Sequence, residues 1–194
     1  MPPPNTRHQI IAAADQLFYQ RGFEHTSFAQ IASEVKISRG NFYHHFKSKD
    51  EILNAVIEAR KARTQAMLWD WERHAPSPRE RIKCYINIVL QNWPAIKESG
   101  CPVGTLSTEL AKLNHASQAG ANSIFTLFRT WLAQQFSELG QEQEADALAM
   151  HVLAWSQGVA TLCNAFQDKQ FAQREVNKLC LWLDSVCPDG EPST

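Results

Sequence analysis

At 194 residues, with 44% apolar and 20% charged side chains, the chain is long enough to bury a substantial core in one or two small domains. A formal net charge of −1 argues against a uniformly basic protein that coats nucleic acid. The charge is uneven, however: residues 1–63 hold nine Lys/Arg against six Asp/Glu, and residues 64–194 hold ten against fourteen, which predicts a basic head on an acidic body. Five cysteines without a CxxC pair, and an N-terminus without an apolar leader, predict a reduced, cytoplasmic chain. The most apolar stretch, 145–163, is interrupted by Asp146, His151, Ser156, Gln157 and Gly158, so no membrane span is expected.

Helical spacing dominates, and the expected fold class is all-α with nine helices. Ile10, Ala14, Leu17, Phe18 and Arg21 form one stripe that Gly22 closes. Ser27 and Gln30 make a capping box before a two-turn helix with Phe28, Ile31, Ala32 and Val35 inward. Ser38 caps another short helix in which Phe42 and Phe46 share a face. A second box, Ser48 to Glu51, opens a run through Ile52, Leu53, Val56 and Ile57 to about Glu72. Ser77-Pro78-Arg79-Glu80 starts a helix that Pro94 kinks and Gly100-Cys101-Pro102 ends. A short helix near 103–113 follows, then a long one through Ile124, Phe128 and Trp131 to Gly140, then helices over 143–166 and 171–186. The expected divisions are a head of three short helices over 1–50, a linking helix over 51–74, a body over 75–188 and a flexible tail over 189–194.

Two short helices joined by a tight turn, the second with polar groups outward, form a helix-turn-helix pattern. Because Phe42 and Phe46 face the core, Arg39, Tyr43 and His44 point elsewhere. From Lys36 to Lys49 there is no acidic residue, and Lys36, Arg39, Lys47 and Lys49 supply positive charge. Ser, Asn, Arg and Tyr are the side chains that reach phosphates and base edges. A structural helix-loop-helix corner would share the spacing, without a reason for the acid-free polar face.

Residues 7–57 resemble the N-terminal DNA-binding domain of the TetR family of bacterial transcription regulators. The resemblance is carried by Ala12-Ala-Ala-Asp-Gln-Leu-Phe18, Gly22-Phe23, Thr26, Ile31-Ala32, and Ile37-Ser-Arg-Gly-Asn-Phe-Tyr-His-His-Phe-Lys-Ser-Lys-Asp-Glu-Ile-Leu53. It implies that Ser38, Arg39, Asn41, Tyr43 and His44 face DNA and that Thr26, Ser27 and Lys49 contact phosphates. His45 matches a position that packs as often as it touches DNA. Lys36 stands where the family's turn usually has glycine; it adds a charge near DNA and, if left-handed, strain of order 1–2 kcal/mol.

The resemblance further implies a helical ligand-binding and dimerisation domain, with a homodimer formed through the last two helices and bound to a pseudo-palindromic double-stranded operator. The faces assigned to the dimer are Leu148, Val152, Trp155, Val159 and Leu162 on one helix and Val176, Leu179, Leu183 and Val186 on the other, although either set would serve equally as internal core. Trp93, Cys101, Leu106, Ile124, Phe125, Phe128 and Trp155 are candidate pocket residues, suited to a small apolar or aromatic inducer. Cys101, between Gly100 and Pro102 at a helix start, is a candidate electrophile or redox sensor; the other four cysteines read as packing. An enzyme is disfavoured: only His115 could assist Cys101, and no phosphate loop, metal-ligand spacing or cofactor motif is present. No cofactor or metal is expected.

Overall fold

The computed structural model describes residues 6–187, with the Arg39 side chain outside that set; the expected tail over 189–194 also lies outside the described residues. The chain divides into two compact units, residues 1–64 with 102–124, and residues 65–101 with 125–194. These units are drawn differently from the divisions expected at 50 and 74, because 102–124 packs with the N-terminal unit.

The first unit holds α1 (Thr6–Arg21), α2 (Phe28–Val35), α3 (Arg39–His45), the N-terminal part of α4 (Lys49–His74), α7 (Pro102–Lys112) and the start of α8 (Gln118–Glu138). Its core joins Ile10, Ala14 and Phe18 of α1 to Ile31 of α2, Phe42 and Phe46, and Ile52, Leu53 and Val56 of α4. Leu106, Leu110 and Ala121 close the same core. One buried ion pair accompanies it. Arg60 donates to Asp15 at 2.6 Å and to the Pro102 carbonyl at 2.5 Å, and Arg63 also bonds Asp15. A guanidinium that is only 7% exposed is tolerable because it is paired and hydrogen-bonded.

The second unit holds the rest of α4 and α8 with α5 (Pro78–Gln91), α6 (Trp93–Ser99), α9 (Ala145–Phe166) and α10 (Lys169–Val186). Ser77 caps α5 by accepting from Glu80 N at 3.3 Å, with Pro78 at the first helical position. The kink expected at Pro94 is a break at Asn92: counted as one bent helix, α5–α6 leaves nine helices among the described residues, and counted apart it makes ten. Gly100 ends α6 at φ 76° and Gly140 follows α8 at φ 81°. No described helix is long and apolar enough to cross a membrane.

The faces assigned to the dimer from the sequence are mostly internal. Val152, Val159, Val176, Leu179 and Leu183 are buried within the protomer, and Leu148, Trp155 and Val186 half-buried, leaving Leu162 as the exposed member. Helices packed on one side still leave another side open. On α9 that open side carries Ala147, Met150, Ala154, Gly158, Thr161, Leu162 and Ala165.

Lys36 is left-handed, at φ 57° and ψ 40°. Its N–H bonds Ser33 O at 3.1 Å, and Ile37 N bonds Ala32 O at 3.2 Å, the paired bonds of a Schellman cap. The cap needs positive φ, which a lysine adopts only under strain. Lys36→Gly is therefore expected to stabilise the protein by about 0.5–1 kcal/mol, the relief of strain exceeding the added freedom of the unfolded chain. The reading is a raised urea midpoint with unchanged m.

Candidate nucleic-acid interface

Ser38 sets the start of α3: its Oγ accepts from Asn41 N at 3.3 Å. The two phenylalanines then fix the helix rotation, since Phe42 is 1% and Phe46 2% exposed. Asn41, Tyr43 and His44 are consequently outward and exposed. Tyr43 is not loose: its ring lies 5.5 Å from that of Phe28, so α2 supports it from one side. Arg39 belongs to α3 by its backbone, and its side chain is outside the described set. His44 and His45 are neighbours on α3, with ring centroids 5.6 Å apart. His45 is half-buried and lines an open 590 Å³ groove with Arg7, Phe46 and Glu58.

Ser27 is exposed at the start of α2 with both capping-box bonds in place. Its Oγ accepts from Gln30 N at 3.3 Å, and Gln30 Oε1 accepts from Ser27 N at 2.7 Å. Lys36 is exposed at the turn between α2 and α3. Lys47 lies just beyond α3 and donates to the Tyr43 carbonyl at 2.6 Å, satisfying a C-terminal carbonyl of that helix.

Two of the expected phosphate contacts have internal duties. Thr26 is 1% exposed and its hydroxyl donates to Gly22 O at 2.7 Å, so its side chain is a turn-fixing group and is withdrawn from any outside partner. Lys49 is half-buried; its Nζ donates to Phe23 O at 3.0 Å and Glu24 O at 3.3 Å and lies 4.2 Å from the Phe23 ring centroid. Amides at and just before the start of α4 are partly taken as well, Glu51 N by Ser48 Oγ at 3.1 Å and Lys47 N by Glu51 Oε2 at 2.7 Å.

One residue escapes sequence reasoning. Glu109 of α7 accepts from Phe23 N and Glu24 N, each at 2.9 Å. A carboxylate in the middle of a distant helix has no local signal that distinguishes it from a solvated charge. His115 is also drawn in: its ring lies 5.0 Å from Phe23 and its Nε2 3.4 Å from Asp50. Those contacts assign it to packing in the first unit.

The candidate pocket residues are divided between the units. Leu106 is core of the first, and Ile124 is buried at its edge. In the second unit Trp93, Cys101 and Trp155 are half-buried against Val89, Ile96, Val159 and Cys163. Phe128 packs on Tyr85 at 5.2 Å, and Phe125 is half-buried on α8. Burial pushes the Tyr85 hydroxyl far above the usual tyrosine range, against the opposing effect of its 3.0 Å hydrogen bond with Ser156. Gln157 donates to Cys101 Sγ at 3.5 Å. Burial pushes the thiols of Cys84, Cys163, Cys180 and Cys187 up, as expected of packing cysteines.

A short, polar, acid-free helix held outward by two buried aromatics, in an all-helical two-unit chain, defines a helix-turn-helix transcription regulator. Residues 10–56 match the family described as bacterial regulatory proteins, tetR family, and residues 78–174 match the C-terminal domain of the LmrA/YxaF-like transcriptional regulators. The chain belongs to the TetR family and is a ligand-responsive, DNA-binding transcription regulator. It is 29% identical over 175 residues to the HTH-type regulator in the lacX 3' region of Lactococcus lactis subsp. lactis, covering 84% of this chain and 86% of that one. It is 28% identical over 129 residues to the repressor NemR of Escherichia coli K12, covering 63% and 65% of the two chains. The crystal structure of reduced E. coli NemR shares the fold at a TM-score of 0.77 and 21% identity, over 90% of this chain and 95% of that one. A TetR regulator from Legionella pneumophila shares it at a TM-score of 0.83 and 24% identity, over 96% of this chain and all of that one.

Asn41 and Lys49 separate the two kinds of residue at this surface. Asn41→Ala is expected to leave the unfolding midpoint unchanged while flattening preference among DNA sequences by about 1–3 kcal/mol at one base position. Lys49→Ala removes two hydrogen bonds to carbonyls and a ring contact, so it should cost about 1–2 kcal/mol of stability. Paired urea titrations and competition binding measure both.

Proposed function

We propose that this regulator is a homodimeric repressor that binds a pseudo-palindromic operator through α3 and leaves it when a small apolar or aromatic inducer binds the body. The observation that carries the reading is the outward face of α3, where Asn41, Tyr43 and His44 stand exposed with no acidic neighbour between Lys36 and Lys49. Ser38, Arg39, Asn41 and His44 are assigned to DNA readout. Tyr43, Ser27 and Lys36 are assigned to phosphates. Thr26 and Lys49 keep their internal hydrogen bonds and act on DNA only by holding the turn. Selection of duplexes from a random pool, followed by fluorescence anisotropy across a salt series, tests the reading. The expected result is a two-fold-symmetric consensus with an affinity that falls steeply with salt; no enrichment above the input pool would sink it.

The dimer is assigned to the open side of α9, where small residues let a second helix approach. Met150 and Leu162, 44% and 42% exposed, are the apolar groups such a partner would cover. A Cβ at Gly158 would meet nothing within 4 Å, so a larger side chain there leaves the protomer undisturbed and obstructs only a partner. Gly158→Arg is expected to be a folded monomer of 22.0 kDa by light scattering, against a dimer for the wild type. A dimeric Gly158→Arg would place the interface elsewhere.

A second reading concerns Cys101, favoured by its half-buried sulfur held by Gln157 and by likeness to NemR, whose crystal structure is of a reduced form. Here the inducer is an electrophile. The thiolate adds to an electron-poor C–H carbon of a quinone ring, an S–C bond forms as the C=C π bond breaks, and that carbon's proton and one proton from solvent end on the two oxygens, giving a substituted hydroquinone with no further oxidant. Operator affinity of wild type and Cys101→Ser, each before and after a quinone, decides between the readings. Release in the wild type alone supports the sensor; equal responses leave the non-covalent inducer.

A further inference from the structure

The segment between α1 and α2, residues 22–27, is irregular, yet it aims α2 and, through the Phe28–Tyr43 contact, supports α3. An irregular backbone at a packed position needs partners for its polar groups. Here they come from two helices. On the N–H side, the Glu109 carboxylate of α7 takes Phe23 N and Glu24 N with one oxygen each, both at 2.9 Å. On the carbonyl side, Lys49 of α4 donates to Phe23 O at 3.0 Å and Glu24 O at 3.3 Å. The Phe23 ring is held edge-on by Phe18 at 5.3 Å and His115 at 5.0 Å.

The fit around Glu109 is close. A Cβ at Gly22 would come within 2.8 Å of Glu109 Oε1, and Gly22 itself sits at φ +86°. The glycine is thus required twice, for its left-handed backbone and for the approach of the carboxylate. The other end of α7 is anchored as well, because Arg60 joins the Pro102 carbonyl to Asp15 of α1. Leu106 and Leu110 bury the face between the two anchors.

We propose that Glu109 is a positioning residue for DNA binding and that α7, outside the helix-turn-helix in sequence, is a working part of the DNA-binding unit. It touches no DNA. It fixes Phe23 and Glu24, and so sets the direction in which α2 leaves the turn and the height at which Tyr43 and Asn41 are presented. The inference rests on α3 being the DNA-reading helix and adds the residue that holds it in register.

The test uses the full chain and a 30-base-pair duplex that the wild type has selected from a random pool. Glu109→Ala is expected to bind that duplex at least about tenfold more weakly at a temperature where circular dichroism shows wild type and variant both fully folded. Hydrogen exchange at the Phe23 and Glu24 amides should accelerate, while amides in the middle of α4 keep their protection. Glu109→Gln keeps one carbonyl oxygen for one of the two amides, so its affinity should fall between the two. A purely structural role would lower the melting temperature and leave the affinity of the folded protein unaltered. Binding by folded Glu109→Ala within twofold of wild type overturns the proposal; if Glu109→Ala does not fold, the same affinity and exchange readings on Glu109→Gln decide it. A wild type that selects no duplex at all overturns the DNA-binding reading, and this inference with it.

Discussion

Two helices of eight and seven residues carry the recognition surface, and helices of that length do not persist in water alone. Everything on the DNA-facing side therefore depends on contacts that make them helical and aim them. Caps supply part of this: Ser27, Ser38 and the Lys36 turn satisfy terminal groups that water would otherwise compete for. The larger part is burial of Ile31, Phe42 and Phe46 in a core shared by α1, α4 and α7. The exposed face of α3 is a by-product of that burial, because a two-turn helix with two inward phenylalanines has one way round.

What was legible in the sequence was what is local. Capping boxes span four residues, apolar stripes repeat within a helix, and glycines at 22, 100 and 140 mark positive φ, so helix types and most boundaries could be read directly. A left-handed Lys36 was raised only as a condition, from the glycine usual at that position in the family, and the structure gives it φ 57°. Pairings over long separations were not legible. Glu109 meets Phe23 across 86 residues, and a carboxylate at mid-helix looks the same whether it is solvated or capping a turn. Thr26 and Lys49 show the complementary limit: both are polar residues near the recognition helix, and only the fold reveals the internal hydrogen bonds that their side chains make. For α9 the difficulty was different. A helix apolar around much of its circumference offers two faces, and periodicity does not say which is covered by its own chain.

The division into units follows from the same point. Residues 102–124 lie between stretches belonging to the second unit, yet Leu106, Leu110 and Ala121 complete the core of the first. Three helices with a small shared core are marginal. Recruiting α7 enlarges the core and supplies a buried pairing through Arg60, whose guanidinium would be costly to bury without both Asp15 and the Pro102 carbonyl. The stability of the recognition head is thus partly owed to a segment more than fifty residues beyond it.

That debt bears on how tightly one head can hold DNA. With the Thr26 side chain buried and Lys49 Nζ bonded to two carbonyls, the groups assigned to a duplex under the proposed reading are those of α3, Ser27 and Lys36. So few phosphate and base contacts give weak, strongly salt-dependent binding from a single head. Adding charge would raise affinity for any sequence, but it would not raise preference for one. Doubling the same contacts by two-fold symmetry raises both, because the second head acts at the effective concentration set by the first. In the proposed dimer, a short list of contacts on each head is therefore enough for selective binding, because the second head supplies the affinity that one head lacks.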